Sequence, residues 1–357
     1  MTDVSVAILH PVPAPGAGPL VRAVAETRAG LADRHRAGFL AAGARRASVL
    51  TGREGDGAPF GARLRAIAGD IGPGGLVVLG SGAVPLMTAA DRRSFVAAAA
   101  ADRPSALANN RYSADIVAIA RARQILAELP DLPSDNMLPR WLDEVAGVPV
   151  SDLRRRWRLG VDIDGPLDLV LLGARWSSAL ADADRARVED RLGAVRGVLA
   201  DDRAEVVVAG RTSPATLTWL ERAGAARTRA FVEERGLRTS RPGQRPAASV
   251  LGALLDREGP VALGRLLATF GDGAIIDTRV LLAHRLGADE DGWPTAEDRF
   301  ASDLLLHERV ADPWLRELTA AAANAPIPVL LGGHTLVGPG LRLALRPRRS
   351  APRGRDG

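Results

Sequence analysis

Short apolar runs of β-forming residues, separated by longer stretches with helical periodicity, recur over roughly the first 175 residues. This alternation constrains the fold most, because strands joined through helices pair in parallel and are covered on both faces. The expected strands are Val4 to Leu9, Ala47 to Leu50, Leu76 to Leu79, Asp115 to Ile119 and Gly160 to Ile163. Between them, Leu20 to Ala42, Ala62 to Ile71 and Asn136 to Ala146 read as helices. A further helix follows Thr88, a favoured cap, with Asp91 in its first turn, and another ends near Leu129. The fold expected is α/β: a three-layer, mostly parallel sheet, followed by a second α/β domain.

That second domain starts near residue 200. Glu205 to Ala209 and Thr228 to Val232 read as strands, and Ser213-Pro214 as a helix start. Ser249 to Phe270 reads as one helix, and Ala274 to Ala283 as a strand with some helical character. Thr295 and Asp312 are caps of two more helices, and Ile327 to Leu331 is a last strand. Thr239 to Ala247 reads as an exposed loop. The domains expected are therefore 1–175 and 200–345, with 346–357 a disordered basic tail rich in Pro, Arg and Gly.

Composition removes several classes of chemistry. The chain of 357 residues has no cysteine, so disulfides, thiolate metal sites and cysteine nucleophiles are excluded. It also has no lysine, which excludes a Schiff-base lysine and the lysine of a Walker-type phosphate loop. The sequence pI of 10.9 suggests a nucleic-acid binder only superficially. Without Lys or Cys and with one Tyr, almost nothing titrates in the alkaline range, so a small positive excess drives the pI up. Residues 342–357 carry six arginines and one aspartate, and their excess of +5 equals the net charge of the whole chain. Nucleic acid is therefore not an expected partner. No apolar run reaches the length of a membrane helix and no secretory signal is evident, so no membrane partner is expected and the cytoplasm is the default location.

The stretch richest in chemistry is Val161-Asp162-Ile163-Asp164-Gly165-Pro166-Leu167-Asp168-Leu169. On a strand, Asp162 and Asp164 share one face. Two aspartates at the end of a parallel strand suit a hard divalent cation held against a phosphate. The competing reading is a strand-to-helix turn in which Asp164 caps the helix and Asp168 is solvated. A second stretch runs from Leu107 to Ile116 and holds Asn109, Asn110, Arg111, Tyr112, Ser113 and Asp115. It reads either as a substrate-reading edge with Asp115 as a metal ligand, or as a polar turn with both asparagines left-handed. Ser134-Asp135-Asn136 reads as the cap of the helix that carries Trp141.

The Asp162 stretch resembles the D-[IV]-D-T-P-x-D-L signature of nucleotidyltransferases with the glycosyltransferase-A fold. Upstream, Val77 to Thr88 is similar to that family's GD-x-P-L-[LIV]-[ST] strand end. The resemblance covers about residues 1 to 175. It implies transfer of a nucleoside monophosphate from a nucleoside triphosphate to a small phosphorylated acceptor, with Mg²⁺, in cofactor or sugar-nucleotide metabolism. It implies that Asp162 and Asp164 are the catalytic and metal-binding pair. Gly80, Ser81, Gly82 and Pro85, with Asn109, Asn110 and Asp115, are expected along the nucleotide or acceptor cleft, because ligands of open α/β sheets bind at the carboxyl ends of strands. Two departures stand out. Ser81-Gly82-Ala83 lacks the carboxylate that the family carries there. The family's Gly-rich loop with its basic residue is also not evident, although Gly16 and Gly18 offer backbone donors and Arg22 or Arg28 a guanidinium. The alternative expectation is therefore a non-catalytic nucleotide-binding or scaffold protein. A homo-oligomer stays open.

The C-terminal half carries Asp277-Thr278-Arg279, His284, Glu297 to Arg299, Asp303 and a Gly332-Gly333-His334-Thr335 turn. Its histidines have no zinc-type spacing. Asp277 and Arg279 read either as a site or as a structural ion pair. A third possibility is that this half is the active one.

Overall fold

The computed structural model describes residues 2–53, 58–72, 74–237 and 245–345. The expected tail, and most of the expected loop from Thr239 to Ala247, lie outside the described residues. The described residues fall into two compact units. The first holds those of Met1–Leu169, Trp176–Leu180 and Gly236–Arg245, and the second those of Val170–Arg175, Ala181–Arg235 and Pro246–Gly357. No helix among the described residues is long and apolar enough to cross a membrane.

The first unit is built on six strands: β1 (Thr2–Val12), β2 (Ala44–Arg53), β3 (Gly75–Gly80), β4 (Ala106–Ala108), β5 (Ile116–Ile119) and β6 (Val150–Asp152). Their order across the sheet is β2-β1-β3-β5-β4-β6. Only β5 runs against its neighbours, so the sheet is mostly parallel. Alternate side chains divide the core into two layers, as a period of two requires. Val4, Val6 and Ile8 of β1 face Phe39 of α1 (Pro19–Ala41) and Phe95 of α3 (Ala89–Ala99). Ala7 and the β3 residues Leu76 and Val78 face Leu64 of α2 (Phe60–Asp70), Leu126 of α4 (Ala122–Leu126) and Leu142 of α5 (Leu138–Glu144). Each fully buried Leu, Ile or Phe contributes on the order of 2–3 kcal/mol. The result is the expected three-layer α/β arrangement.

Several local expectations need correction. The segment Gly160 to Ile163 is not a strand. A tight turn at Trp157–Gly160 is followed by a single antiparallel rung, Ala83 with Asp162. Only one rung forms because the chain leaving β3 folds back at once, the Ala83 amide donating to Gly80 O at 3.1 Å. Ser134 makes no side-chain cap, and the helix carrying Trp141 starts at Leu138 behind Met137. The short strands β4 and β6 were invisible to periodicity because three residues carry no pattern.

The second unit has a four-stranded parallel sheet in the order β10-β9-β7-β8. Its strands are β7 (Glu205–Gly210), β8 (Arg227–Val232), β9 (Gly273–Asp277) and β10 (Val329–Gly332). β7, β9 and β10 are almost wholly buried, as a parallel sheet covered on both faces requires. The single helix expected from Ser249 to Phe270 is broken at Gly259-Pro260, where Gly259 has φ +80° and proline cannot continue the preceding ladder. The strand expected to reach Ala283 stops at Asp277, whose side chain caps a helix over Thr278–Leu286.

Candidate functional site

The carboxyl ends of β1, β2 and β3, and the start of β5, open into one cleft of the first unit. Ligands of open α/β sheets bind at that edge. A cavity of about 590 Å³ is lined mainly by apolar side chains, among them Leu50, Phe60, Ile67 and Leu138. Beside it, a smaller cavity of about 140 Å³ is lined by Arg28, Ser81, Gly82 and Asp162. Leu9, Pro11, Gly80, Asp115 and Asp135 line both.

The small cavity is acidic. Burial and the charges of Asp162, Asp135 and Asp164 push the Asp115 carboxyl well above the usual range, against the Asn109 hydrogen bond. Burial, then Asp164, pushes Asp162 up to about 7, with Arg28 and the Ile163 amide opposing. Carboxylates from three separate segments thus crowd together, and two of them, Asp115 and Asp162, resist ionisation.

Each is held by identifiable contacts. Asn109 is buried, and its amide nitrogen donates to Asp115 Oδ2 at 2.7 Å and to Leu159 O at 2.9 Å. Its oxygen accepts the Asp115 amide at 3.0 Å. Neither Asn109 nor Asn110 is left-handed, which corrects the polar-turn expectation. Asn110 instead accepts the Tyr112 amide at 3.1 Å and lines neither cavity. Asp162 accepts the Ile163 amide at 2.8 Å. Asp164 lies 3.9 Å from Arg28. The segment is not a strand beyond the one rung at Asp162, so a strand's alternation does not set where the two aspartates lie. The competing turn reading also needs correction. Asp168 is not solvated: it is buried and accepts the amides of Asp164 and Gly165 at 2.8 and 2.9 Å.

The turn after β3 closes the cavity from the other side. A Cβ on Gly82 would stand 2.8 Å from Ile163 O and 3.3 Å from Asp162 Oδ1, so only glycine lets the two segments lie this close. Ser81 is buried, and its hydroxyl is 3.0 Å from Nδ1 of His10. Burial, and then the Arg28 charge, lowers the His10 pKa. Pro85 is buried and lines neither cavity. Gly16, Gly18 and Arg22 line neither cavity either, and Arg22 donates to the nearby Ala17 carbonyl. The guanidinium at the acidic cavity is that of Arg28, which donates from Nε to Ile163 O at 2.8 Å. His10, Asp135 and His35 were not singled out in the sequence as site residues. For His35 a signal existed: Arg28, Leu31, His35 and Phe39 fall at helical spacing on one face of α1.

Among the described residues, no group of three or more His, Cys, Asp or Glu side chains stands ready to ligate one ion.

The carboxyl edge of the second sheet is occupied differently. Arg211 donates in a fork to Asp277, from Nε at 2.7 Å and Nη2 at 3.1 Å. Arg279 forks onto Asp303 from Nη1 and Nη2. All four are buried. Burial raises Asp277, yet the Arg211 charge and hydrogen bond outweigh it and leave the pKa lowered. The Asp277 and Arg279 side chains of the sequence motif fork onto Arg211 and Asp303, and Asp277 also accepts the Arg279 amide at 3.2 Å.

No family model matches the chain, and no curated protein matches it. Among solved structures, it is similar to a protein of Desulfovibrio desulfuricans G20 provisionally named a nucleotide-diphospho-sugar transferase. The identity is 15%, the TM-score 0.32, and the match covers 52% of this chain and 96% of that one.

Proposed function

We propose that the first unit binds a nucleoside triphosphate with Mg²⁺ and transfers its nucleoside monophosphate to a small phosphorylated acceptor. The observation that carries this reading is the convergence of Asp115 and Asp162 beside an apolar cavity large enough for a nucleoside. Crowded carboxylates with raised pKa values are a hard-oxygen donor set that a divalent cation would relieve. Mg²⁺ commonly takes only one or two carboxylates and completes its shell with water and substrate phosphate, so a two-aspartate site fits it. Asp115 would stand in for the carboxylate absent from Ser81-Gly82-Ala83. Asp164, beside Arg28, would set the charge around Asp162. When bound, the ion would neutralise charge on the phosphates.

The protein's own part is placement. Leu50, Phe60, Ile67 and Leu138 would enclose base and ribose, leaving the phosphates over the acidic cavity. An oxygen of the acceptor phosphate would attack the α-phosphorus. The bond to the β-phosphate oxygen would break, and pyrophosphate would leave. Arg28 would face the developing charge. A second reading, nucleotide binding without transfer, is favoured by the missing carboxylate in the turn after β3. Pyrophosphate release measured with each nucleoside triphosphate and a mixture of phosphorylated acceptors separates the two. Release that needs Mg²⁺ and Asp162 supports transfer; binding without release supports the second reading.

A further inference from the structure

His35 of α1 is fully buried, and its Nε2 lies 2.9 Å from the carbonyl oxygen of Ala83. A carbonyl only accepts, so Nε2 carries the hydrogen and donates it. Burial, foremost, lowers the His35 pKa to about 4, so the ring is neutral at ordinary pH. Nδ1 is then a bare acceptor, and it is buried without a hydrogen-bond partner among the described residues. For packing alone this is a poor choice, since a buried unsatisfied nitrogen is costly and an apolar side chain beside Phe39 would avoid it.

What the histidine touches accounts for it. Ala83 precedes Val84, which has φ +45° and is fully buried. A β-branched residue is rarely found there and persists only where its surroundings over-determine it. The same turn is the surface on which the Asp162 segment rests. Ala83 forms the single rung with Asp162, and Gly82 O accepts the Ile163 amide at 3.1 Å. Two helical turns before His35, Arg28 holds Ile163 O at 2.8 Å. One face of α1 therefore grips both partners of the rung: His35 the turn, Arg28 the segment.

From this geometry we infer that His35 is a positioning residue, holding the strained Ala83-Val84 turn so that Asp162 faces the acidic cavity. Its role in binding rests on the nucleotide-site reading above; its role in the turn does not. His35→Leu removes the donor and fills the space. His35→Gln keeps a donor near the Nε2 position. Crystal structures of both, with melting curves, and titration with each of ATP, GTP, CTP and UTP with and without Mg²⁺, form the test.

In His35→Leu, Val84 is expected to return to negative φ and the Ala83–Asp162 rung to be lost. The Mg²⁺-dependent part of nucleotide binding should fall about tenfold or more, the usual cost of losing a residue behind a metal ligand. His35→Gln should restore most of it. In a Val84→Gly background, where positive φ costs nothing, His35→Leu should have little effect on binding. An unchanged turn in His35→Leu overturns the inference. So does a moved turn with unchanged Mg²⁺ dependence, or a Gln variant as impaired as the Leu variant. If the unsubstituted protein binds no nucleotide, the site reading falls, while the His35→Leu structure still decides whether His35 sets the turn. If His35→Leu does not fold, the His35→Gln and Val84→Gly proteins carry the same decision.

Discussion

Both sheets present charged residues at their carboxyl edges, and the two edges solve the electrostatic problem in opposite ways. At the second sheet, Arg211 meets Asp277 and Arg279 meets Asp303 in buried forks; Arg211 leaves the Asp277 pKa lowered, whereas burial outweighs Arg279 and leaves that of Asp303 raised. At the first sheet, burial and the charges of Asp135 and Asp164 hold Asp115 and Asp162 above the usual carboxyl range, and Asp162 adds to the effect on Asp115. In an edge closed on itself each buried charge depends on its partner, and removing one partner is strongly destabilising. An edge where like charges are forced together is stable only at a cost, and such costs collect at functional sites. The proposed ligand site at the first edge rests on this difference.

Substitutions should separate the two edges. The largest loss of stability is expected from Asp277→Asn, which leaves Arg211 buried against a neutral amide. Removing one partner of a buried pair costs about 3–5 kcal/mol. For a unit of this size that is a fall in Tm on the order of 10 °C in a calorimetric scan. Asp162→Asn should do the reverse. A carboxyl whose folded pKa is about 7, against an ordinary 3.8, binds more protons folded than unfolded. Wild-type stability should therefore decline as pH rises from the ordinary carboxyl value toward about 7, and level off above it. Asp162→Asn should make that decline shallower in urea titrations across the same range, leaving the part that Asp115 contributes. A variant as damaged as Asp277→Asn would erase the contrast between the edges.

Asn109→Leu should come next, since it removes both clamps on Asp115 and leaves Leu159 O without that donor. The expected cost is about 1–3 kcal/mol, together with weaker cation-dependent nucleotide binding. Asp91→Asn should be milder. Asp91 closes the capping box with Thr88 and takes Arg156 and Arg158, whose side chains are partly exposed. A cap of this kind is worth about 1 kcal/mol. Burial raises the Asp91 pKa, but Thr88 and the two arginines outweigh it and leave it at about 2. Its contribution should be complete above the ordinary carboxyl value and be lost as pH falls through about 2, readable as the acid limb of wild type against the variant.

The alternation of elements made the α/β layers legible, and the caps Thr88, Ser213, Thr295 and Asp312 were legible from residue type alone. Asp162 and Asp115 could be named as candidates, because carboxylates beside apolar runs are conspicuous. Their convergence could not, because it depends on a one-rung pairing and on the Asn109 clamp, contacts between segments far apart in the chain. The Asp277 cluster misled for the same reason. The motif showed Asp277 and Arg279 two residues apart, while the fold pairs Asp277 with Arg211 far before it and Arg279 with Asp303 after it. His35 stayed hidden among the apolar positions of α1, although its helical spacing from Arg28 was there to be read.

The most direct test of the ligand-binding edge is a thermal-shift panel of the full chain with ATP, GTP, CTP and UTP, each with and without Mg²⁺, run beside Asp162→Asn. A nucleotide at a hundredfold excess over its Kd should stabilise the protein by about 2.7 kcal/mol, which is visible as a rise in Tm. The account predicts a rise with at least one nucleotide that requires Mg²⁺ and disappears in Asp162→Asn. A rise that ignores both the ion and the substitution, or no rise with any nucleotide, would contradict it.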